Sequence, residues 1–494
     1  MNGVHDALVR WALQNSRLRG LLCAFYDLGT ITCGIGALVA LSILAWTTAR
    51  LLLDTVSAPE HATPPLSMHN LAKRGMATND RTTDASSGFD VRPIIPGVTV
   101  PISHLPLMLM AVLIGQIVHE LGHAAASALE QVHMTAAGLS IMVIFPSAFV
   151  TLPSAAIDAL SPRGRLRIIS GGPFHNLCYY VALVTVRWCG VLTALAPIVA
   201  ALLGYENISV RGEVVVDVDP NSHLHAYIPR GALITRFDDF TLNYTGAWSD
   251  FFEGTYARPE ALGWCVSQAV ISAAPDTCCE ATLAGFPSPL ACFVEGLSGA
   301  DACLDPVPLL GDPIMPRCGT VALCGDNEVC ALPSRVASLV RVWFQLRNEE
   351  KEEIVIWNGE RDEIREAVQT SIWLPEYWLL PLGLPGAMTA LFQYLELATL
   401  SLFLFNLLPL PMLDGEQYAH GVLDLVLGQG SPYDEFDVEA LESAEAGEAP
   451  ADGRTWSSER SVKRLKARIQ KVTTRVTTSL LVACLVLGTL QGVT

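Results

Sequence analysis

Residues 105–130 read LPLMLMAVLIGQIVHELGHAAASALE, and the five letters HELGH at 119–123 decide how the rest of the chain is read. An ionisable side chain is costly in an apolar helix, so one that sits there is by default a functional-site candidate. On a helix His119 and His123 stand one turn apart on one face, and their imidazoles can converge on a single ion. Glu120 lies one position round, within reach of a water on that ion without being a ligand. Gly122 and the Ala124–Ala126 run would let other helices come close to the site, and the alternative is a pair of structural histidines hydrogen-bonded inside a helix bundle.

Zinc lowers the pKa of its bound water toward neutrality, and a glutamate so placed takes that proton and later hands it to a leaving amine. A catalytic zinc needs a third protein ligand and an open fourth position. The extended pattern HExxHxxGxxH would require glycine at position 126 and histidine at 129, where the chain has Ala126 and Leu129, so the ligand comes from elsewhere. FNLLPLPMLDGEQ at 405–417 offers Asp414: Pro409 and Pro411 cannot continue a helix, and the unwound chain can turn the aspartate inward. Asn406, eight residues earlier, has two open readings, donation to a peptide carbonyl or oxyanion and capping of carbonyls freed by the prolines. SGGPFHN at 170–176 brings Gly171 and Gly172 for close backbone approach, Asn176 as a polar support, and His175 read as structural.

The surroundings are a membrane. The 494 residues are 51% hydrophobic and 16% charged, too apolar for a soluble protein of this length, with a mean hydropathy of +0.38. A net charge of -18 argues against nucleic acid as a partner, since that binding rests on basic side chains meeting phosphates. Runs long enough to cross a bilayer lie near 31–53, 104–128, 168–203, 380–408 and 473–492, the third overlong and interrupted by Arg187 and Pro197. The first has no cleavage site close behind it and reads as a retained anchor.

Orientation follows from the basic residues. Arg10, Arg17 and Arg19, then Arg163, Arg165 and Arg167, then Lys463, Arg464, Lys466, Arg468 and Lys471 fall on one side, the cytosol. The expected order is a cytosolic 1–30, an anchor at 31–53, a luminal linker at 54–103, a catalytic membrane core at 104–203, a luminal region at 204–379, membrane core at 380–428, a cytosolic loop at 429–472 and a last crossing at 473–494. Eight of the 13 cysteines and both glycosylation sequons, at Asn207 and Asn243, fall in 204–379. The cysteines read as disulfides rather than a zinc ribbon, because paired CxxC spacing is absent.

Three smaller segments complete the map. Residues 54–97, rich in Pro, Ser, Thr and Asp, read as a mobile linker, and the acidic 429–460 as a disordered loop. GLSIMVIFPSAFVTL at 138–152 is apolar, too short to span and broken by Pro146, which suggests a hairpin packed on the HELGH helix, with a buried helical segment as the alternative.

HELGH followed by NLLPLPMLDG resembles the site-2 proteases, intramembrane zinc metalloproteases marked by HExxH and a later NxxP…LDG segment. GGPFHN and FPSAFV resemble further segments of that family. GEVVVDVDPNSHLHAYIPRGALITRFDDFTL at 212–242 looks like the first half of a PDZ domain, and SLVRVWFQLRNEEKEEIVIWNGERDEIREAVQTSIWLP its return strands and closing helix. The cysteine-rich piece, about 250–333, would be an insertion, as in the eukaryotic branch, which Asp414-Gly415-Glu416 in place of LDGG also favours.

The resemblance implies a polytopic α-helical membrane protein of about five crossings with a membrane-associated β hairpin and a luminal PDZ-like α/β domain. It further implies one zinc held by His119, His123 and Asp414, Glu120 as base and acid, Asn406 assisting the carbonyl, and residence in the endoplasmic reticulum or Golgi membrane. Substrates would be single-pass proteins already cut on the luminal side, such as membrane-tethered transcription factors, in regulated intramembrane proteolysis. Two rivals remain, a catalytically silent scaffold of the same fold and a metal transporter; Arg187 and Glu396 are too few charges to suggest a transport path.

Overall fold

Pro106 at the first turn and a run of Leu, Met and Ala, all strong helix formers, start the HELGH helix at Leu105 in the computed structural model. The structure describes residues 16–57, 100–142, 145–254, 263–279, 290–312, 314–319, 324–334, 339–347, 349, 351–428 and 453–493, with three isolated positions before residue 16. Most of the 54–97 linker and of the 429–460 loop therefore lies outside the described residues.

Among the described residues seven long helices appear: α1 (Ser16–Ser57), α2 (Leu105–Leu129), α3 (Pro162–Trp188), α4 (Val191–Leu202), α5 (Leu384–Asn406), α6 (Asp414–Leu427) and α7 (Gly453–Val493). Among the described residues, four are long and apolar enough to cross a membrane, and α3 with α4 makes a fifth if that broken pair is one span. The overlong third run thus breaks, after Trp188, at Gly190, whose φ of 69° is left-handed. Helix α1 begins well before the apolar run at Ile31, because Leu22, Cys23 and Tyr26 already pack against α2 and α3.

The chain divides into two compact units, Met1–Val191 with Thr389–Thr494, and Leu192–Met388. In the first, Cys33 of α1, Leu166, Ile169 and Phe174 of α3, Phe403 of α5 and Tyr418 of α6 form one buried cluster. Charged groups gather at the N-terminal end of α3. Arg167 reaches both Asp27 oxygens, at 2.6 and 2.8 Å, and Glu130 at 2.9 Å, while Asp424 joins Arg165 at 3.1 Å to Lys466 at 2.8 Å.

Strands β1 (Ala136–Met142) and β2 (Phe145–Thr151) pair antiparallel as a hairpin, so the helical alternative for 138–152 does not hold. Leu139 and Ile141 on one face of the hairpin, and Phe145 and Phe149 on the other, are all exposed.

The second unit is mostly β. Strands β3 (Tyr205–Asn207), β4 (Glu213–Val218), β5 (Leu233–Phe237), β6 (Phe240–Thr241) and β7 (Gly263–Ser267) are followed by β8 (Ala291–Glu295), β9 (Asp301–Leu304), β10 (Arg317–Cys318) and β11 (Glu328–Pro333). Then come β12 (Leu339–Gln345), β13 (Glu352–Asn358), β14 (Val368–Ser371) and β15 (Trp373–Pro375). One sheet runs β13-β12-β5-β4-β14 with β6 on β5; Val215, Ile234, Phe237, Val342 and Phe344 bury its core with Phe251 and Ile364 from two short helices. A second runs β10-β7-β11-β8-β9, and its strands fall in sequence between β6 and β12.

All eight clustered cysteines pair: Cys265–Cys324, Cys278–Cys303, Cys279–Cys292 and Cys318–Cys330. Beside them an alternating stack crosses from sheet to sheet. Arg236 lies 3.6 Å over Trp343, Arg341 is 5.7 Å from Trp343 and 4.9 Å from Trp264, and Arg317 is 3.9 Å over Trp264. Asp239 neutralises two of these cations, at 3.0 Å from Arg341 and 2.7 Å from Arg317.

Candidate metal centre

Helical spacing places His119 and His123 one turn apart on α2, and their Nε2 atoms lie 3.1 Å from each other. Asp414 completes the group, its Oδ2 2.8 Å from His119 Nε2 and 3.4 Å from His123 Nε2. Three ligand atoms from residues nearly three hundred positions apart in sequence thus face one point.

Two local features deliver them. Helix α5 ends at Asn406, ahead of Pro409 and Pro411, and the chain turns through Met412, whose φ is 72°, before α6 starts at Asp414 itself. Gly415 then lies against the Leu407 and Leu408 backbone, where an added Cβ would sit 2.3 Å from the Leu408 carbonyl oxygen. On the other side α3 presses against α2. A Cβ on Gly172 would come within 2.4 Å of His123 Nε2 and 2.6 Å of His119 Nε2, and one on Gly122 within 2.2 Å of the Gly171 carbonyl oxygen.

The closeness of α3 gives the imidazoles their second contacts. His123 Nδ1 donates to the Ile168 carbonyl at 2.8 Å, and His119 Nδ1 lies 3.1 Å from the fully buried Asn176 side-chain amide. Both ε-nitrogens are left to face Asp414.

This set fits a divalent transition metal. Imidazole and carboxylate donors bound at about 2.0–2.2 Å in a tetrahedron are separated by roughly 3.3 Å, and the three distances here bracket that value. Asp414 Oδ2 is buried without a hydrogen-bond donor other than the two rings, an anionic atom left for a cation.

Glu120 does not join the three. Its Oε2 accepts the backbone N–H of Val150 at 2.8 Å, and one turn earlier Gln116 Oε1 accepts that of Ala148 at 3.2 Å. The free edge of β2 is therefore satisfied by α2 side chains. Asn406 is half-buried at the end of α5, and among the described residues no hydrogen bond joins it to the histidines or Asp414. His175 turns away to Tyr26, with its Nε2 3.0 Å from the phenol oxygen and the rings stacked. Asn207 and Asn243 are exposed on the second unit, Asn207 Oδ1 accepting from the Ser209 N–H.

Ile168, Val150 and Gln116 are parts of the site that the motifs do not announce. The first two act through backbone atoms, which any residue carries. Gln116 had one signal, its place four residues before Glu120 on an otherwise apolar face.

Apolar helices around a convergent His-His-Asp group define the class: a membrane protein with a candidate metal centre. No family model matches the chain. It is similar to the membrane-bound transcription factor site-2 protease homolog of Arabidopsis thaliana, 28% identical over 170 residues, or 34% of this chain and 30% of that protein. The match thus spans less than a third of the relative's length. It supports membership of the site-2 protease family, a membrane protease family, which the paired HELGH and LDG motifs also resemble.

Proposed function

We propose that the protein is an intramembrane zinc metalloendopeptidase that cuts transmembrane helices of single-pass substrates. The observation that carries this reading is the convergence of His119, His123 and Asp414 on one point, with Glu120 on the adjacent position of the same helix. His119 and His123 through Nε2 and Asp414 through Oδ2 are the ligands. Bound there, zinc supplies Lewis acidity to a water and to the scissile carbonyl.

Glu120 takes a proton from the attacking water and returns it to the departing amine. The Val150 N–H holds its carboxylate in one orientation, and burial keeps bulk water from competing. Asn406 donates its amide to the peptide carbonyl. A helical substrate must first unwind, since its scissile bond is shielded by its own hydrogen bonds, and the outer edge of β1, opposite its pairing with β2, is where an extended segment can lie.

The rest of the assignment rests on topology and resemblance. Basic flanks put the centre toward the cytosolic ends of its helices, so cleavage releases a cytosolic fragment. Residues 204–379 are luminal, with glycans on Asn207 and Asn243, a PDZ-like domain built from β4–β6 and β12–β14, and the disulfide-bonded sheet inserted between. The organelle is the endoplasmic reticulum or Golgi, and the substrates are membrane-tethered proteins first trimmed in the lumen.

Cleavage of a single-pass model substrate in proteoliposomes tests the reading. Wild type should cut within the bilayer while Glu120→Gln, loaded with the same zinc, should lose roughly 10²–10⁴-fold in rate. A wild type that binds zinc yet cuts nothing would favour the silent scaffold.

A further inference from the structure

Helix α3 contacts the outer nitrogen of both histidines, and the two contacts are of different kinds. Against His123 it sets a backbone carbonyl, Ile168 O at 2.8 Å, which can only accept, so a neutral His123 carries its proton on Nδ1 and keeps a lone pair on Nε2. Against His119 it sets the side-chain amide of Asn176, at 3.1 Å from Nδ1, and an amide can either accept or donate.

His119 Nε2 points into the triad, 2.8 Å from Asp414 and 3.1 Å from His123 Nε2. Ligation there requires the lone pair on Nε2 and the proton on Nδ1, and an N–H facing Asn176 calls for an acceptor. The amide has one. Asn176 Oδ1 is buried with no hydrogen-bond partner, in a residue with no exposed surface. Rotating the amide by half a turn brings that oxygen to His119 Nδ1; which end is O and which is N follows from the partner rather than from shape. The rotation exchanges the atom without a protein partner and adds no further orphan.

We propose that Asn176 is the positioning residue of the metal centre: its carbonyl oxygen accepts the His119 Nδ1 proton, fixing the tautomer that presents Nε2, as the Ile168 carbonyl does for His123. The inference rests on the zinc reading of the triad. It adds that α3, which supplies no ligand, sets the protonation of both imidazoles. A substitution two turns beyond Ile168 on that helix should therefore change metal affinity without touching the metal.

Zinc competition against a chromophoric chelator, on the full-length chain in detergent, separates the possibilities. Asn176→Leu has similar volume and no acceptor, and its zinc affinity should fall about 10- to 100-fold. Asn176→Asp keeps an acceptor toward His119 and should stay within severalfold of wild type. Nitrogen chemical shifts of the His119 ring, read without metal, should place the proton on Nδ1 in wild type and in Asn176→Asp alike, and show mixed tautomers in Asn176→Leu. Wild-type affinity in Asn176→Leu overturns the proposal, and so does an equal loss in both variants, which would make the amide a donor or a packing group. If wild type itself binds no zinc, the functional reading falls first; if wild type binds and Asn176→Leu binds as tightly, this proposal alone falls.

Discussion

The backbone N–H of Val150, on the free edge of β2, donates to Glu120 Oε2 at 2.8 Å. This one bond ties the hairpin to the residue that follows the first histidine of HELGH. A hydrogen bond to a charged acceptor contributes about 1.5–3 kcal/mol, so its loss should matter to a base held in one orientation. Val150→Pro removes the donor on an edge strand, where proline is tolerated. Turnover of a model substrate should fall about 10- to 100-fold with zinc content unchanged. Unchanged turnover would mean that the hairpin does not orient Glu120.

Close approach of α3 to the histidines gives a sharper structural test. Gly172→Ala places a methyl group within 2.4 Å of His123 Nε2 and 2.6 Å of His119 Nε2, so both ligand nitrogens must leave their positions or α3 must draw back. Zinc measured by plasma emission on purified protein should drop to background. Stoichiometric zinc in this variant would show that the rings are not where the structure puts them.

How much of this was legible in the sequence differs from element to element. HELGH read as a helix face because periodicity and ligand chemistry agree there, and Pro409 and Pro411 marked the end of α5 because proline has no N–H to give. The hairpin at 136–151 was legible from an apolar run too short to span, but Pro146, read as the break, lies inside β2 opposite Ile141, and the strands part between Met142 and Phe145. Support of Glu120 and His123 by backbone atoms of Val150 and Ile168 was not, since no side-chain type encodes it. Eight cysteines allow about a hundred pairings, and sequence alone does not choose among them. The Arg236–Trp343–Arg341–Trp264–Arg317 stack joins residues from four strands, β5, β12, β7 and β10, and only the fold brings those strands together.

That stack carries a prediction for the second unit. Arg341 is 5% exposed, flanked by two indoles and held by Asp238 and Asp239. Truncating Arg341 removes the buried cation that both indoles and both carboxylates face. Arg341→Ala should make the region between Leu192 and Met388 sensitive to limited proteolysis at temperatures where wild type resists. Equal resistance would leave the stack without a structural role.

Two carboxyls, Glu213 buried and Asp238 half-buried, set a pH dependence for the same unit. Desolvation raises Glu213 above the usual carboxylate range although the Thr370 hydroxyl donates to it, and raises Asp238 although Arg341 pulls the other way. The folded unit therefore holds protons that the unfolded chain has already released. Their contribution to stability is full below the ordinary carboxylate pKa values and is lost as pH rises through the raised ones. Glu213→Gln keeps an acceptor for Thr370 and removes the ionisation, so it should raise the thermal midpoint above the ordinary carboxylate range and flatten its fall as pH rises from there. An unchanged slope would assign the proton uptake to other groups.

Metal content of the purified chain tests the central claim, a single ion held by residues of α2 and α6. Wild type should carry one zinc per chain, and His119→Ala and Asp414→Ala should each carry close to none while remaining folded by circular dichroism. Stoichiometric zinc in both variants would contradict the centre formed by His119, His123 and Asp414.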